Sequence, residues 1–375
     1  MLTPKRILVK RQRPYRLVHP VLILSFASIC ALFVHVNHLQ HQLDHYKIRL
    51  KDYDTFQQSG KSAMEELNGD WAVEDKSELQ YSLKEFENIH PDAVNNSAKH
   101  RKMTLVYNRV PKTGSQSLML LLRDLAARNN FSLHRDRARR VEHITLGENE
   151  LENELQLIDS FQPPAVYVRH VSYMNFTTFN KTQPLYINMV RDPVERVISW
   201  HYYVRASWYI VHRLRTFPEM SPPPVPWLIK DFETCVLNRD VECRYIEGAS
   251  VPGFAQLTHF FCGQQKECRK FNTEAALQMA KENVERYYSV VGVVEDLNVT
   301  LAVLEHYVPR FFRGATDLYW GEIKRFSKVN RNAFKPSVPE RIKEMVRRNF
   351  TREIEFYDFC KRRLYKQYAA LRLGL

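Results

Sequence analysis

By apolar and polar positions alone, the chain divides into regimes. Residues 17–36, LVHPVLILSFASICALFVHV, contain no Asp, Glu, Lys or Arg, and about 20 such residues suffice for a bilayer-spanning helix. Leu39, Leu43, Tyr46, Leu50 and Tyr53 then recur at alternating gaps of four and three. That spacing predicts a short heptad seam or an ordinary amphipathic helix. Residues 57–100 are polar, weakly patterned and read as a linker. From Met103 the pattern tightens: MTLVYN is a β-type run, RVPKTGS a turn, and SLMLLLRDLAA has helical spacing. A second buried-strand run, PLYINMV (184–190), leads through Arg191 into another helical stretch. Two strand–turn–helix units predict an α/β domain with a central parallel sheet and helices on both faces. Residues 205–275, with Pro222, Pro223 and Pro224, predict a long excursion from that sheet.

Charge adds a topology. Lys5, Arg6, Lys10, Arg11, Arg13 and Arg16 precede the apolar run, and positive flanks stay cytoplasmic. A type II arrangement follows: tail 1–16, signal anchor 17–36, stem 37–100, luminal domain 101–375. A cleaved signal peptide is the rival, but the run is long and shows no A-x-A-like exit. Setting those six residues aside, 49 Lys and Arg of the 55 face all 42 Asp and Glu, so the net +13 falls to +7. Any case for a polyanionic partner therefore rests on local clusters. Six Asn-x-Ser/Thr sequons, at Asn95, Asn130, Asn175, Asn180, Asn298 and Asn349, all lie beyond the anchor. Cys235/Cys243 and Cys262/Cys268 form two close pairs and Cys360 is left over. Zinc sites usually use tighter C-x2-4-C spacings, so in an oxidising lumen two local disulfides are the simpler reading.

The chemistry sits at the two strand ends. A strand feeding a helix through a tight turn aims backbone N–H groups at that turn. In RVPKTGSQS, Lys112 adds a mobile cation, Thr113, Ser115 and Ser117 add hydroxyls, and Gly114 permits close approach to an anion. The P-loop signature is missing. At the second unit, Asp192-Pro193 reads as N-cap and first helical residue. Arg191 ends the strand and Ser199 lies two helical turns past Asp192, so both reach one point above the strand ends. Two such cradles suggest a ligand with two separate phosphates. The competing readings are a plain turn with a solvated Lys112, and an Arg191 that only pairs with Asp192 or Glu195.

These stretches carry a resemblance. Arg109–Ser117 resembles the 5′-phosphosulfate loop of Golgi sulfotransferases, and Ile187–Ser199 resembles their 3′-phosphate element. RHVSYMNF (169–176), FFCGQQKECRKF (260–271), VVGVVEDL (290–297), PRFFRGATDLY (309–319) and EIEFYDF (353–359) are similar to the uronyl 2-O-sulfotransferases. That group spans heparan sulfate, dermatan/chondroitin and insect Pipe-like branches, and the resemblance covers about 103–360. It implies a P-loop-like sulfotransferase fold. It also implies 3′-phosphoadenosine 5′-phosphosulfate (PAPS) as donor and the 2-hydroxyl of a hexuronic acid in a glycosaminoglycan as acceptor.

By the same resemblance, Lys112 stabilises the leaving oxygen. Thr113, Gly114, Ser115, Gln116 and Ser117 wrap the 5′-phosphate, and Arg191 and Ser199 hold the 3′-phosphate. His170 is the general base, Arg109 sits near the acceptor, and the disulfides pair Cys235 with Cys243 and Cys262 with Cys268. Sulfonate transfer needs positioning, cations and a base near neutral pKa, and His fits that role. Lysine and arginine can carry the charge, so no metal is expected.

Two departures matter. Val168 stands where the heparan-specific branch has a second histidine, which leaves the acceptor glycan open. The late loop KRFSKVNRNAFK (324–335) matches loosely, with Lys328 and Asn330 as its candidate cofactor contacts. Arg135, Arg137, Arg139, Arg140, Arg205, Arg213, Arg215, Arg310, Arg313, Lys324 and Arg325 form basic clusters. They could line a groove for a carboxylated, sulfated glycan or be solvated surface. The expected setting is a Golgi membrane, with homo-oligomers through stem or domain and no nucleic-acid partner. The alternatives are a nucleotide-dependent kinase, which the missing second P-loop glycine and lack of an acidic Mg²⁺ motif oppose, a catalytically degenerate glycan-binding protein, and a sulfotransferase for glycoprotein glycans.

Overall fold

The computed structural model describes residues 90–97, 103–251, 254–326 and 335–371. The expected anchor and heptad seam, with Lys328 and Asn330, lie outside them.

Five strands form one sheet in the order β2-β3-β1-β4-β5, all pairs parallel. They are β1 (Thr104–Asn108), β2 (Ser132–Arg135), β3 (Ala165–Arg169), β4 (Leu185–Val190) and β5 (Tyr288–Val293). Every residue of β1, β3, β4 and β5 is buried. Strands covered on both faces read as continuous apolar runs, which is why β1 and β4 stand out in the sequence. β2, SLHR, is a half-exposed edge strand with no such run.

Eight helices matter to the site: α1 (Ser115–Asn129), α2 (Glu148–Asp159), α3 (Pro193–Arg205), α4 (Ser207–Thr216), α5 (Glu274–Tyr287), α6 (Leu297–Tyr307), α7 (Glu340–Arg347) and α8 (Thr351–Ala370). α1 buries Leu118, Leu121, Leu122 and Leu125, the i, i+3, i+4, i+7 stripe of a helix lying on a sheet. Connections leave β1 toward β2 but leave β4 toward β5, so the strand order reverses between β1 and β4. Right-handed crossovers then put α1 and α3 on opposite faces. Ligands of open parallel sheets bind in the crevice outside that switch point.

A polar knot ties the sheet together just below the crevice. The Asn188 amide donates to the Asn108 carbonyl (2.7 Å) and side-chain oxygen (3.1 Å). The Tyr288 hydroxyl donates to that same Asn108 oxygen at 3.0 Å, and the Asn108 amide donates to the Phe260 carbonyl at 2.9 Å. β4 and β5 are thus tied to the carboxyl end of β1, where its turn begins.

The excursion is present and is built of short helices. It carries α4, Phe232–Leu237 and Thr258–Cys262, and both close cysteine pairs are disulfides, Cys235–Cys243 and Cys262–Cys268. Cys360 is a buried thiol. A second core of Phe232, Tyr245, Phe271, Ile342, Val346 and Phe350 packs the excursion and α7 against Val194, Val197 and Ile198 of α3. Ahead of the domain boundary expected at 100/101, residues 90–97 already dock. Asn96 donates to the carbonyls of Glu285 (2.7 Å) and Tyr288 (3.0 Å). Among the sequons, Asn130, Asn180, Asn298 and Asn349 are exposed, while Asn95 and Asn175 are half-buried.

Candidate active site at the strand ends

A cleft of about 890 Å³ opens at the carboxyl ends of β1, β3, β4 and β5. Arg109, Lys112, Gly114, Ser115, Gln116, Ser117, His170, Arg191 and Ser199 all line it. Residues spread over ninety positions of sequence meet because three neighbouring strands end on one rim.

The turn after β1 is sharply folded. Lys112 has φ 65° and Gly114 φ 70°, the left-handed region that a lysine rarely adopts and that clusters at functional sites. A Cβ on Gly114 would stand 2.8 Å from Cγ2 of Val294, beyond β5. Glycine is therefore required for its φ and for that contact. Among the described residues no side chain caps α1, and the N–H groups of Ser115, Gln116 and Ser117 face the cleft end with the helix dipole behind them. Thr113 differs from the expectation. It is buried and its hydroxyl donates to the Val110 carbonyl at 2.9 Å, bracing the turn and leaving only its backbone for a ligand.

Lys112 extends across the cleft, its ammonium 3.9 Å from the Tyr203 ring centroid. Burial, then the charges of Arg191 and Lys335, bring its pKa down to about 8. A lysine crowded by cations favours the arrival of an anion.

His170 follows β3. Arg169 beside it turns the other way, buried, its guanidinium 2.6 Å from Glu154. The His170 Nδ1 donates to the Arg109 carbonyl at 2.8 Å, while the Arg109 N–H donates back to the Arg169 carbonyl at 3.0 Å. The two loops are laced together, and the ring presents its other nitrogen, Nε2. Arg109 is buried, and its Nε has no hydrogen-bond partner among the described residues.

The second cradle is built as Asp192-Pro193 predicts. The Asp192 carboxylate accepts from the Glu195 N–H at 2.8 Å, with Pro193 opening α3. Arg191 lies 3.9 Å from both Glu195 and Glu295, the outer limit of ion pairing, so those carboxylates hold it loosely. Ser199 faces the same cleft from α3.

The basic clusters divide. Arg135, Arg140 and Arg213 line the cleft, and Arg213 also donates to the carbonyls of Arg139 and Arg140. Arg205 is buried against Glu242 at 2.5 Å. Arg310 serves the carbonyls of Asn129 and Asn130. Arg325 pairs with Asp124 at 2.6 Å and with Glu322, and Arg139 with Glu150 at 2.8 Å. Those four are structural cations. Arg137, Arg215, Arg313 and Lys324 are exposed outside the cleft lining.

Sequence reasoning missed Glu142, Trp200, Tyr203, Tyr209 and Glu295, which complete the wall. Tyr203 had a signal: it lies four residues past Ser199, hence on the same helix face. Glu142 had none, since it sits in a loop.

Residues 98–360 match the profile of the Sulfotransferase family. The Uronyl 2-sulfotransferase homolog pip of Drosophila melanogaster is 42% identical over 293 residues, 76% of this chain and 57% of that protein. Human Uronyl 2-sulfotransferase is 33% identical over 267 residues, 70% of this chain and 62% of its own length. Heparan sulfate 2-O-sulfotransferase 1 of Xenopus laevis is 32% identical over 266 residues, 68% and 69% of the two chains. The matched segment thus spans less than two thirds of the first two relatives. With a profile match over most of its length and relatives of this similarity, the chain belongs to the sulfotransferase family.

Proposed function

We propose that the protein is a PAPS-dependent sulfotransferase that modifies the 2-hydroxyl of a hexuronic acid in a glycosaminoglycan. The observation that carries this reading is the convergence of Lys112, Ser115, Gln116, Ser117, Arg191, Ser199 and His170 on one cleft. The relatives' names include uronyl 2-sulfotransferase and heparan sulfate 2-O-sulfotransferase, which supports the position and acceptor class.

When bound, PAPS supplies a sulfonate group carried on a phosphate oxygen. The N–H groups of Ser115, Gln116 and Ser117, with Lys112, face the place of the 5′ group, and Arg191 with Ser199 faces that of the 3′-phosphate. Lys112 offsets negative charge on the leaving oxygen, the preorganised cation such a reaction needs. His170 accepts the acceptor's hydroxyl proton at Nε2 while Nδ1 keeps its own proton, donated in a hydrogen bond to the Arg109 carbonyl. Arg109, Arg135 and Arg213 offer planar guanidinium groups to carboxylates and sulfates of the glycan.

The apolar run at 17–36 with its basic leader, the sequons and the two disulfides support a type II Golgi membrane setting with a luminal catalytic domain. The heptad seam supports self-association through the stem.

The test is to incubate the protein with labelled PAPS and a panel of desulfated heparan, dermatan and chondroitin chains, followed by disaccharide analysis. Label on the uronate 2-oxygen is expected. Label confined to the amino sugar, or none on any chain, overturns the reading.

A further inference from the structure

One contact in the cleft is not called for by the reaction itself. The Lys112 ammonium stands over the Tyr203 ring, 3.9 Å from its centroid. Among the described residues no carboxylate lies within ion-pair distance of that ammonium. Its charged neighbours are both cations: Arg191, from the turn after β4, and Lys335, ahead of α7. Each is drawn toward an acid, Arg191 at 3.9 Å from Glu195 and Glu295 and Lys335 at 2.8 Å from Glu195. The Tyr203 ring is itself wedged, with Trp200, Trp208 and Tyr209 at 5.8, 5.3 and 4.7 Å between centroids.

We infer that Tyr203 is a positioning residue for Lys112: its ring face keeps the side chain protonated and aimed into the crevice until a phosphosulfate arrives. The inference rests on the reading of Lys112 as the cation at the leaving oxygen, and it adds the group that readies this cation. An aromatic face attracts an ammonium through its quadrupole but carries no charge. It therefore holds the lysine without opposing an incoming anion, as a carboxylate would. Burial, then Arg191 and Lys335, pull the lysine toward neutrality; the ring acts the other way, because only the protonated form is attracted. Tyr203 also lies on α3 with Ser199, so one helix serves both cradles.

Three variants test this: Tyr203→Phe, which keeps the ring; Tyr203→Leu, which removes it; and Lys112→Ala. Two quantities are read across about pH 6 to 10, a span bracketing the lysine. One is the rate at which an amine-selective reagent acylates Lys112, followed by peptide mass spectrometry. The other is turnover with PAPS. Tyr203→Phe is expected to keep the parent's acylation midpoint, since the ring face remains. In Tyr203→Leu the acylation midpoint and the alkaline limb of turnover should both move down by about one pH unit. A Tyr203→Leu protein with an unmoved midpoint overturns the inference, even if its activity falls. Parent-like turnover in Lys112→Ala overturns the reading of Lys112 instead, and the acylation data still decide whether Tyr203 holds it.

Discussion

The Nδ1 atom of His170 stands 2.8 Å from the main-chain carbonyl oxygen of Arg109. A carbonyl only accepts, so Nδ1 carries the ring proton and Nε2 keeps its lone pair. The tautomer needed of a base is thus set by the loop that presents Lys112. Burial, then the Arg109 charge, holds the His170 pKa well below the ordinary histidine value, so the ring is neutral through the physiological range. His170→Ala is expected to lower transfer by about 10²- to 10⁴-fold while PAPS affinity, read by calorimetry, persists. On that assignment His170 works deprotonated, and its contribution is lost as pH falls through the depressed value. The acid limb of the parent's turnover therefore belongs below about pH 6.5; a limb at higher pH contradicts the assignment.

Arg191 is held only at 3.9 Å by Glu195 and Glu295, while Glu195 itself has closer cations. Burial raises the Glu195 pKa, yet hydrogen bonds from Lys335 and Lys343 bring it down to about 2. A loosely paired arginine can turn to a ligand at little expense. Arg191→Ala should weaken donor binding by about ten- to a hundredfold, the range of a lost charge-assisted hydrogen bond. Turnover at saturating PAPS should change far less. Titration with adenosine 3′,5′-bisphosphate separates the two, and unchanged binding removes Arg191 from the second cradle.

Gly114 packs the turn after β1 closely against the segment that follows β5. At φ 70°, and with any added Cβ only 2.8 Å from Val294 Cγ2, a side chain there must push the turn away from β5. Gly114→Ala should lose about 1–2 kcal/mol of stability from the left-handed backbone alone. It should also weaken PAPS binding because the N–H groups of Ser115 and Gln116 move with the turn. Denaturant melts and donor titrations read the two effects. A variant as stable as the parent, with full donor affinity, shows that the turn tolerates the shift.

Much of the cleft lining was legible because it lies where chain pattern changes. β1 and β4 are continuous apolar runs, and their turns carry Lys112, Gly114, Arg191 and the Asp192 cap in fixed order. β2 was not legible: SLHR is an edge strand whose pairing with β3 comes from tertiary context. The basic clusters misled in part, because residue type does not reveal direction. Arg205 and Arg310 read like glycan ligands but are satisfied by Glu242 and by helix-end carbonyls. The Thr113 hydroxyl likewise reads as a phosphate donor but closes its own turn on Val110. Tyr203 was half visible: its spacing from Ser199 places it on the same helix face but says nothing of Lys112. Its value lies in a contact with Lys112, ninety-one residues earlier, that no local pattern records.

Arg109 offers the sharpest separation of function from stability. The residue is 4% exposed, its Nε has no hydrogen-bond partner among the described residues, and its guanidinium donates to the Met119 sulfur at 3.7 Å. Burial, then Arg135, disfavours its charge, while Glu142 and Asp136 help only through space. Among the described residues no carboxylate reaches it within ion-pair distance. A buried cation without a partner destabilises the fold, and replacing such a group with an apolar side chain of similar volume is often neutral or stabilising. Arg109→Met should therefore leave stability unchanged or raise it by about 1–2 kcal/mol, read from denaturant unfolding. The same change should raise the acceptor KM by about tenfold or more, because it removes one of the guanidinium groups offered to an acceptor carboxylate or sulfate. Donor affinity should stay within about twofold, since Lys112 and Arg191 remain. If Arg109→Met instead loses stability and keeps its acceptor KM, the arginine braces the loop against His170 and does not meet the glycan.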